Sequence, residues 1–245
     1  MAGYLMSLAY ASYVDSITEE AARLADAVMA GPEKALACCP GWSAGDLLGH
    51  LEGIYRFWFV QLEAADAEER TEAPDGAPGG VEGFEKAVTD VARLLDEVGP
   101  NAPCWNWAGE DPTAEFVARR LALETAVHRV DAERAQGDAT PIEAELAADG
   151  IEERIELFVR RKVAQMPTAT LGGTLCLIAN DLDAAFVIDV ERGRVRWRRG
   201  RGPADAVLVG GASDLYLFTW NRVDLEAFEV TGNRDVAAAW AALPS

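Results

Sequence analysis

The hydrophobic period of this chain changes once, after Pro167, and that change does most to restrict what it can fold into. Before it, apolar residues recur at steps of three and four over long stretches, the spacing that gives a helix one buried face. After it come short segments rich in β-favouring residues, with glycine-containing turns between them. A chain that reads this way is α+β, an all-α part followed by a mixed one. Its 245 residues suffice for one large domain or two small ones. The boundary is expected near Gly137 to Thr140, giving a helical bundle over 1–139 and an α+β domain over 140–245.

The first helix is predicted over Leu5 to Ala30, stopped by Gly31-Pro32. Ser43 with Asp46 three residues later forms a capping box that opens a second helix. Its apolar stripe is Leu47, Leu51, Ile54, Trp58 and Leu62. A third helix covers Val81 to Val98. A tryptophan-rich loop, Trp105-Asn106-Trp107, leads to Asp111-Pro112, expected to be the cap and first residue of a fourth helix that reaches Gln136. Thr140-Pro141 should cap a fifth helix ending near Gln165. Strands are expected at Thr174–Ala179, Ala185–Val190, Arg194–Arg199, Ala206–Val209 and Glu226–Thr231. Helices are expected at Ala212–Arg222 and Asp235–Leu243.

The formal charge is −19. Phosphate contact needs basic surface, so nucleic acid is not expected as a partner, and neither is an anionic membrane. The four cysteines, Cys38, Cys39, Cys104 and Cys176, form no Cys-x-x-Cys pair. Neither a disulfide framework nor a cysteine zinc knuckle is readable, which suits a reducing cytoplasm. The opening segment Met1 to Val14 is mildly apolar but carries no Lys or Arg, and reads as the start of a helix rather than a signal peptide. No stretch has the length of a transmembrane span.

Only two histidines occur, His50 and His128. On the fourth helix, Val117, Leu121, Glu124, His128 and Asp131 follow the spacing of a core-facing stripe that turns from apolar to ionisable. Buried carboxylates need partners. Glu124 and His128 lie one turn apart on one face, and His50, beside Leu47 and Ile54, is expected to point inward as well. Two nitrogens and one oxygen are the set used by catalytic zinc, with the fourth position open. Asp131 would then hold the imidazole of His128, or its neighbour Arg129, from behind. Alternatively each histidine is a satisfied core residue and Glu124 pairs with an arginine such as Arg120. The residues alone leave both readings open.

The run Cys39-Pro40-Gly41-Trp42-Ser43 with Asp46-Leu47-Leu48-Gly49-His50-Leu51 resembles the mycothiol-dependent maleylpyruvate isomerase family. So do Trp105 to Glu110, Arg119-Arg120, and Glu124-Thr125-Ala126-Val127-His128-Arg129-Val130-Asp131. The C-terminal half resembles that family's sterol-carrier-like domain through Thr174–Asp181, Ala204-Asp205-Ala206 and Ser213–Leu217. The resemblance implies a DinB-like four-helix bundle followed by a smaller α+β domain. It implies zinc, or another divalent metal, on His50, Glu124 and His128, with mycothiol as the thiol cofactor or co-substrate. The metal would lie near the bundle core, facing a cleft between domains.

By the same resemblance His50 and Arg222 are catalytic candidates, Arg222 also recognising an anionic substrate. The bland reading of Arg222 is a charge complementing a helix C-terminus. Trp42 and Arg222 are the candidates for contact with the cofactor; Trp58, Trp105 and Trp107 could wall the same pocket or simply anchor core and loops. Tyr55 stands where family members often carry a second histidine, and Cys39 is read as a packed, inert thiol. The expected activity is cis–trans isomerisation of a maleylpyruvate-like substrate, or S-transfer to a small electrophile, by a cytoplasmic monomer whose partners are small molecules. The rival is a non-catalytic small-molecule binder with a structural or vestigial metal. A transcriptional regulator is disfavoured, since no basic recognition helix is present.

Overall fold

A computed structural model describes residues 8–73, 76–166 and 171–243. The chain divides into two compact units, Leu8–Thr140 and the residues from Pro141 onward. The first holds four helices: α1 (Tyr10–Ala30), α2 (Ala44–Ala64), α3 (Gly80–Val98) and α4 (Ala114–Gln136). The expected start of the first helix at Leu5 lies outside the described residues; the described helix begins at Tyr10, with Ala9 as its extended N-cap. At α2 the capping box forms as its sequence requires. The Asp46 amide donates to Ser43 Oγ at 3.2 Å and the Ser43 amide to Asp46 Oδ2 at 2.9 Å.

The entry to α4 departs from expectation. Asp111 takes a left-handed backbone (φ 45°), and the helix begins at Ala114 with Thr113 as N-cap. The hydroxyl of Thr113 donates to Asp111 Oδ1 at 3.1 Å, so Asp-Pro builds the approach and not the first turn. A second departure matters more. α4 is buried around most of its circumference rather than along one stripe, and Arg120, Thr125, Arg129 and Asp131 are all buried with it. A helix enclosed on all sides must find a partner for every polar side chain it carries.

Arg129 shows how. Fully enclosed, it donates from Nε to Glu20 Oε2 on α1 at 2.6 Å and from Nη1 to Glu133 Oε2 at 2.8 Å. The same nitrogen reaches the carbonyl and hydroxyl of Thr140, which ends this unit. On α2, Tyr55 is equally buried. Thr125 Oγ1 donates its one proton to the Leu121 carbonyl at 2.7 Å, so the Tyr55 hydroxyl must donate to Thr125 at 2.7 Å.

In the second unit, α5 (Ala144–Glu153) runs through a π-helical turn, Arg154–Val159, into α6 (Arg160–Gln165). Glu143, not Thr140, caps α5 by accepting from the Leu146 amide at 2.9 Å. Five strands follow in the spatial order β3-β2-β1-β4-β5: β1 (Gly173–Ala179), β2 (Ala184–Glu191), β3 (Arg194–Arg199), β4 (Ala206–Gly210) and β5 (Glu229–Gly232). β1 pairs antiparallel with β2 and parallel with β4, a mixed sheet. β2 is buried almost throughout, whereas edge strand β3 alternates and exposes Arg194, Arg196 and Arg198. The helix α7 (Ala212–Thr219) packs on α5, where a Cβ at Gly150 would stand 2.5 Å from the Tyr216 ring; only glycine permits that approach. A last helix, α8, covers Arg234–Ala241.

The architecture is α+β: a four-helix unit followed by a mixed five-stranded one. Among the described residues no helix is long and apolar enough to cross a membrane. Because Glu20 and Glu133 are largely buried around Arg129, Arg129→Ala should cost about 3 kcal/mol, with Arg23 at the rim compensating in part. Chemical denaturation would measure it; a loss below roughly 1 kcal/mol, the scale of an exposed pair, would contradict this account of the network.

Candidate metal centre

Two helices supply the chemistry. His50 and Tyr55 sit on α2, Thr125 and His128 on α4. The Tyr55 hydroxyl meets Thr125, and the rings of His50 and His128 stand 6.0 Å apart at 89°. Five residues back along α2 correspond to three residues forward along α4, so the helices oppose one another and the register set by Tyr55 carries His50 to His128. The donor atoms of His50, Glu124 and His128 all lie within 4.8 Å of one another.

Each donor on α4 has a second partner. Glu124 Oε2 accepts from Arg120 Nη2 at 2.6 Å, while Oε1 lies 3.3 Å from His128 Nε2. His128 Nδ1 faces Asp131 Oδ2 at 3.1 Å. Asp131 therefore serves His128, and Arg129 goes to Glu20 and Glu133 instead. Of the alternatives that the sequence left open, the pairing of Glu124 with Arg120 is present through Oε2, while Oε1 stands beside His128 within the donor cluster.

His50 differs from expectation in burial: its ring turns towards His128 on α4, yet the residue remains largely exposed at the rim. It rims an open pocket of about 580 Å³ with Gly41, Trp42, Gly45, Asp46, Gly49 and Pro78. Trp42 presents its ring to His50 edge-on, centroids 5.2 Å apart. Gly45 and Gly49 share one face of α2, and a Cβ at Gly49 would meet Pro78 at 3.1 Å. This glycine pair is one turn apart, as are Asp46 and His50. That spacing is the mark this pocket leaves in the sequence. Trp58, Trp105 and Trp107 line none of this pocket; with Phe57 and Phe116 they make a separate aromatic cluster.

The electrostatics follow from the partners. Burial opposes charge on Glu124, yet Arg120 and the adjacent imidazoles hold its carboxyl well below the usual range. Burial likewise opposes charge on His128, but the hydrogen bonds that its imidazole donates to Asp131 and Glu124 prevail and raise it to about 9. At His50, burial and then the neighbouring His128 lower the imidazole, with Glu124 pulling the other way.

The set fits a divalent cation. Around a tetrahedral zinc with bonds of about 2.0–2.1 Å, neighbouring donors stand roughly 3.3 Å apart. His128 Nε2 and Glu124 Oε1 already do, and the His50 donor lies within 4.8 Å of both, a span that a cation would have to draw in. Asp131 on Nδ1 leaves Nε2 as the donor atom, the arrangement that orients metal-binding histidines.

Arg222 lies in the other unit. The expected helix through Arg222 ends at Thr219: Asn221 adopts φ 58°, its amide donates to Phe218 at 3.0 Å, and the Arg222 amide donates to Leu217 at 2.9 Å. That is a left-handed helix stop with asparagine in place of glycine. The Arg222 side chain donates from Nη1 to the Trp220 carbonyl at 2.8 Å.

The profile of the mycothiol maleylpyruvate isomerase N-terminal domain matches residues 14–133, and that of the C-terminal domain of the same family matches residues 145–239. This chain belongs to the mycothiol-dependent maleylpyruvate isomerase family. Crystal structures of a mycothiol-dependent maleylpyruvate isomerase and of its histidine-to-alanine mutant overlay on it with TM-scores of 0.62 and 0.63. Each covers 94% of this chain and 95% of its own, at 12% and 11% identity respectively, a likeness of fold. No curated protein matches by sequence. Within the family fold, the two units of this member are its N- and C-terminal domains.

In the metal-free protein the raised pKa of His128 has a signed consequence. Its folded value exceeds its unfolded value of about 6.5, so its contribution to stability is complete below pH 6.5 and is lost as pH rises towards about 9. Unfolding free energy measured from pH 6 to 10 should fall across that window. In His128→Gln the fall between pH 6.5 and about 8, below the range where the buried Cys104 and Cys176 thiols contribute, should be lost; an unchanged slope there would assign it elsewhere.

Proposed function

We propose that this family member is a metal- and mycothiol-dependent enzyme that activates a thiol for attack on a small electrophile. The observation that carries this reading is the convergence of His50, Glu124 and His128 beside an open pocket. Enclosed metal sites suit structure; a site reached from a pocket suits substrate. A divalent cation on these three side chains would supply Lewis-acid stabilisation of a thiolate, the nucleophilic form of the thiol.

The remaining work falls to the chain. Asp131 holds the His128 tautomer through Nδ1, and Arg120 holds one oxygen of Glu124 so that the other faces the donor cluster. Trp42 walls the pocket beside His50 and is proposed to contact the thiol cofactor. For isomerisation of a maleylpyruvate-like substrate, the sulfur adds to the carbon–carbon double bond and the electron pair moves to the conjugated carbonyl. Rotation about the new single bond and expulsion of the same sulfur give the trans isomer, with no net consumption of thiol. In S-transfer the sulfur would stay on the electrophile.

Arg222 is proposed to bind a carboxylate of the substrate. The argument is electrostatic: an anion approaching a chain of formal charge −19 needs a local cation.

With mycothiol and maleylpyruvate, the purified protein should accumulate the trans product, followed by its ultraviolet absorbance, and should carry about one divalent ion per chain by elemental analysis. His50→Ala should lower turnover by roughly 100-fold, while Asp131→Asn should weaken metal affinity by roughly 10–100-fold. Arg222→Met should raise KM for the diacid more than it lowers kcat. Equal conversion by the protein and His50→Ala would discredit the role of the centre. Product carrying the thiol would select S-transfer over isomerisation.

A further inference from the structure

The metal centre uses no cysteine, yet the turn that brings Trp42 to His50 carries two. Cys38 and Cys39 are both half-buried, and the Cys38 thiol donates to the Cys39 sulfur at 3.5 Å. Adjacent residues ordinarily direct their side chains apart. Here the turn is clamped from both ends. The Leu36 amide donates to the Trp42 carbonyl at 3.0 Å, the Trp42 amide to the Cys39 carbonyl at 3.0 Å, and the Ala44 amide to the Lys34 carbonyl at 2.8 Å. Ala35 and Ser43 form a bridge across its base, and Leu36 is buried beneath it. The two sulfurs are thus held side by side before any ligand arrives.

We infer that Cys38 and Cys39 form a two-sulfur chelating site for a single soft, thiophilic centre such as a trivalent arsenical. With bonds of about 2.3 Å and angles between right and tetrahedral, two sulfurs on one centre stand roughly 3.2–3.8 Å apart, which spans the observed separation. A disulfide fits less well: consecutive Cα atoms lie about 3.8 Å apart, short of the 4.4–6.8 Å that an unstrained disulfide spans. Soft sulfur donors prefer soft centres, and the imidazole–carboxylate set of the metal centre does not compete for them. The other cysteines offer no such pair. Cys104 and Cys176 are buried, and burial pushes the Cys104 thiol up to about 12 and raises that of Cys176.

With phenylarsine oxide as probe, each thiol gives up its proton to the arsenic-bound oxygen. Two arsenic–sulfur bonds form, one water leaves, and no atom changes oxidation state. The site needs only the geometry of the turn and stands independently of the proposed enzymatic activity.

The test titrates the folded protein with phenylarsine oxide and maps the adduct by peptide mass spectrometry, counting remaining thiols in parallel. One phenylarsenic group per chain, on the peptide holding Cys38 and Cys39, with two thiols consumed and released by a dithiol, is the expected result. Cys38→Ser and Cys39→Ser should each weaken binding by roughly 100-fold or more, because the second sulfur acts at high effective concentration. The wild-type stoichiometry decides even if a variant folds poorly. Two probes per chain, one thiol consumed per probe, no binding, or full affinity in either folded serine variant would overturn the site.

Discussion

A guanidinium with no access to water cannot be left unpaired, and the N-terminal unit is arranged around that requirement at Arg129. The carboxylates of Glu20 and Glu133 close on it from α1 and from the next turn of α4. An α-helix turns about 100° per residue, so Glu124, five residues earlier, lies about 140° around the axis from Arg129. Pinning one side of α4 to α1 therefore turns the side carrying Glu124 and His128 elsewhere. The buried pair is weak evidence for net stability, since desolvation opposes it, but strong evidence for orientation.

Orientation alone does not assemble the donors. The second constraint is the Tyr55–Thr125–Leu121 chain of hydrogen bonds, which sets the axial position of α2 against α4. Between them, one ion-pair network fixes rotation and one hydroxyl relay fixes translation. The donors then sit in a graded environment. Asp131 and Arg120 are buried behind, Glu124 and His128 lie between, and His50 is exposed in front. Such grading keeps the rear side chains in one rotamer and leaves the front one able to adjust.

Much of this was legible in the chain itself. The capping box at Ser43 and Asp46 needs only four residues to specify a helix start, so local sequence was enough. The spacing of Glu124, His128 and Asp131 was likewise enough to put them on one helical face. The start of α4 is not legible locally, because Asp-Pro is compatible with both a cap and an approach turn, and the left-handed Asp111 is held by contacts beyond the local pattern, its carbonyl accepting from Asn106. α7 ends three residues before the expected Arg222, because asparagine can replace glycine at a left-handed stop and signals it less plainly. His50 was expected to face inward from its apolar neighbours. Periodicity gives an angle around α2 but not how far α3 and the Pro78 segment extend to cover it.

By itself, then, the amino-acid sequence determined the helix-to-strand order, the family, and which ionisable residues share a helical face. The order and the shared faces depend on spacing along one element, fixed by 3.6 residues per turn or by strand alternation, whereas the family is carried by the motifs around His50 and His128 and by the match of both domains. Tertiary structure alone decided that Asp131 attends His128 and not Arg129, that Glu124 divides its oxygens between Arg120 and His128, and that Cys38 and Cys39 stand side by side. Those outcomes depend on which partner reaches a buried charge or a clamped turn first in space. Spacing along one helix is silent about distances between helices.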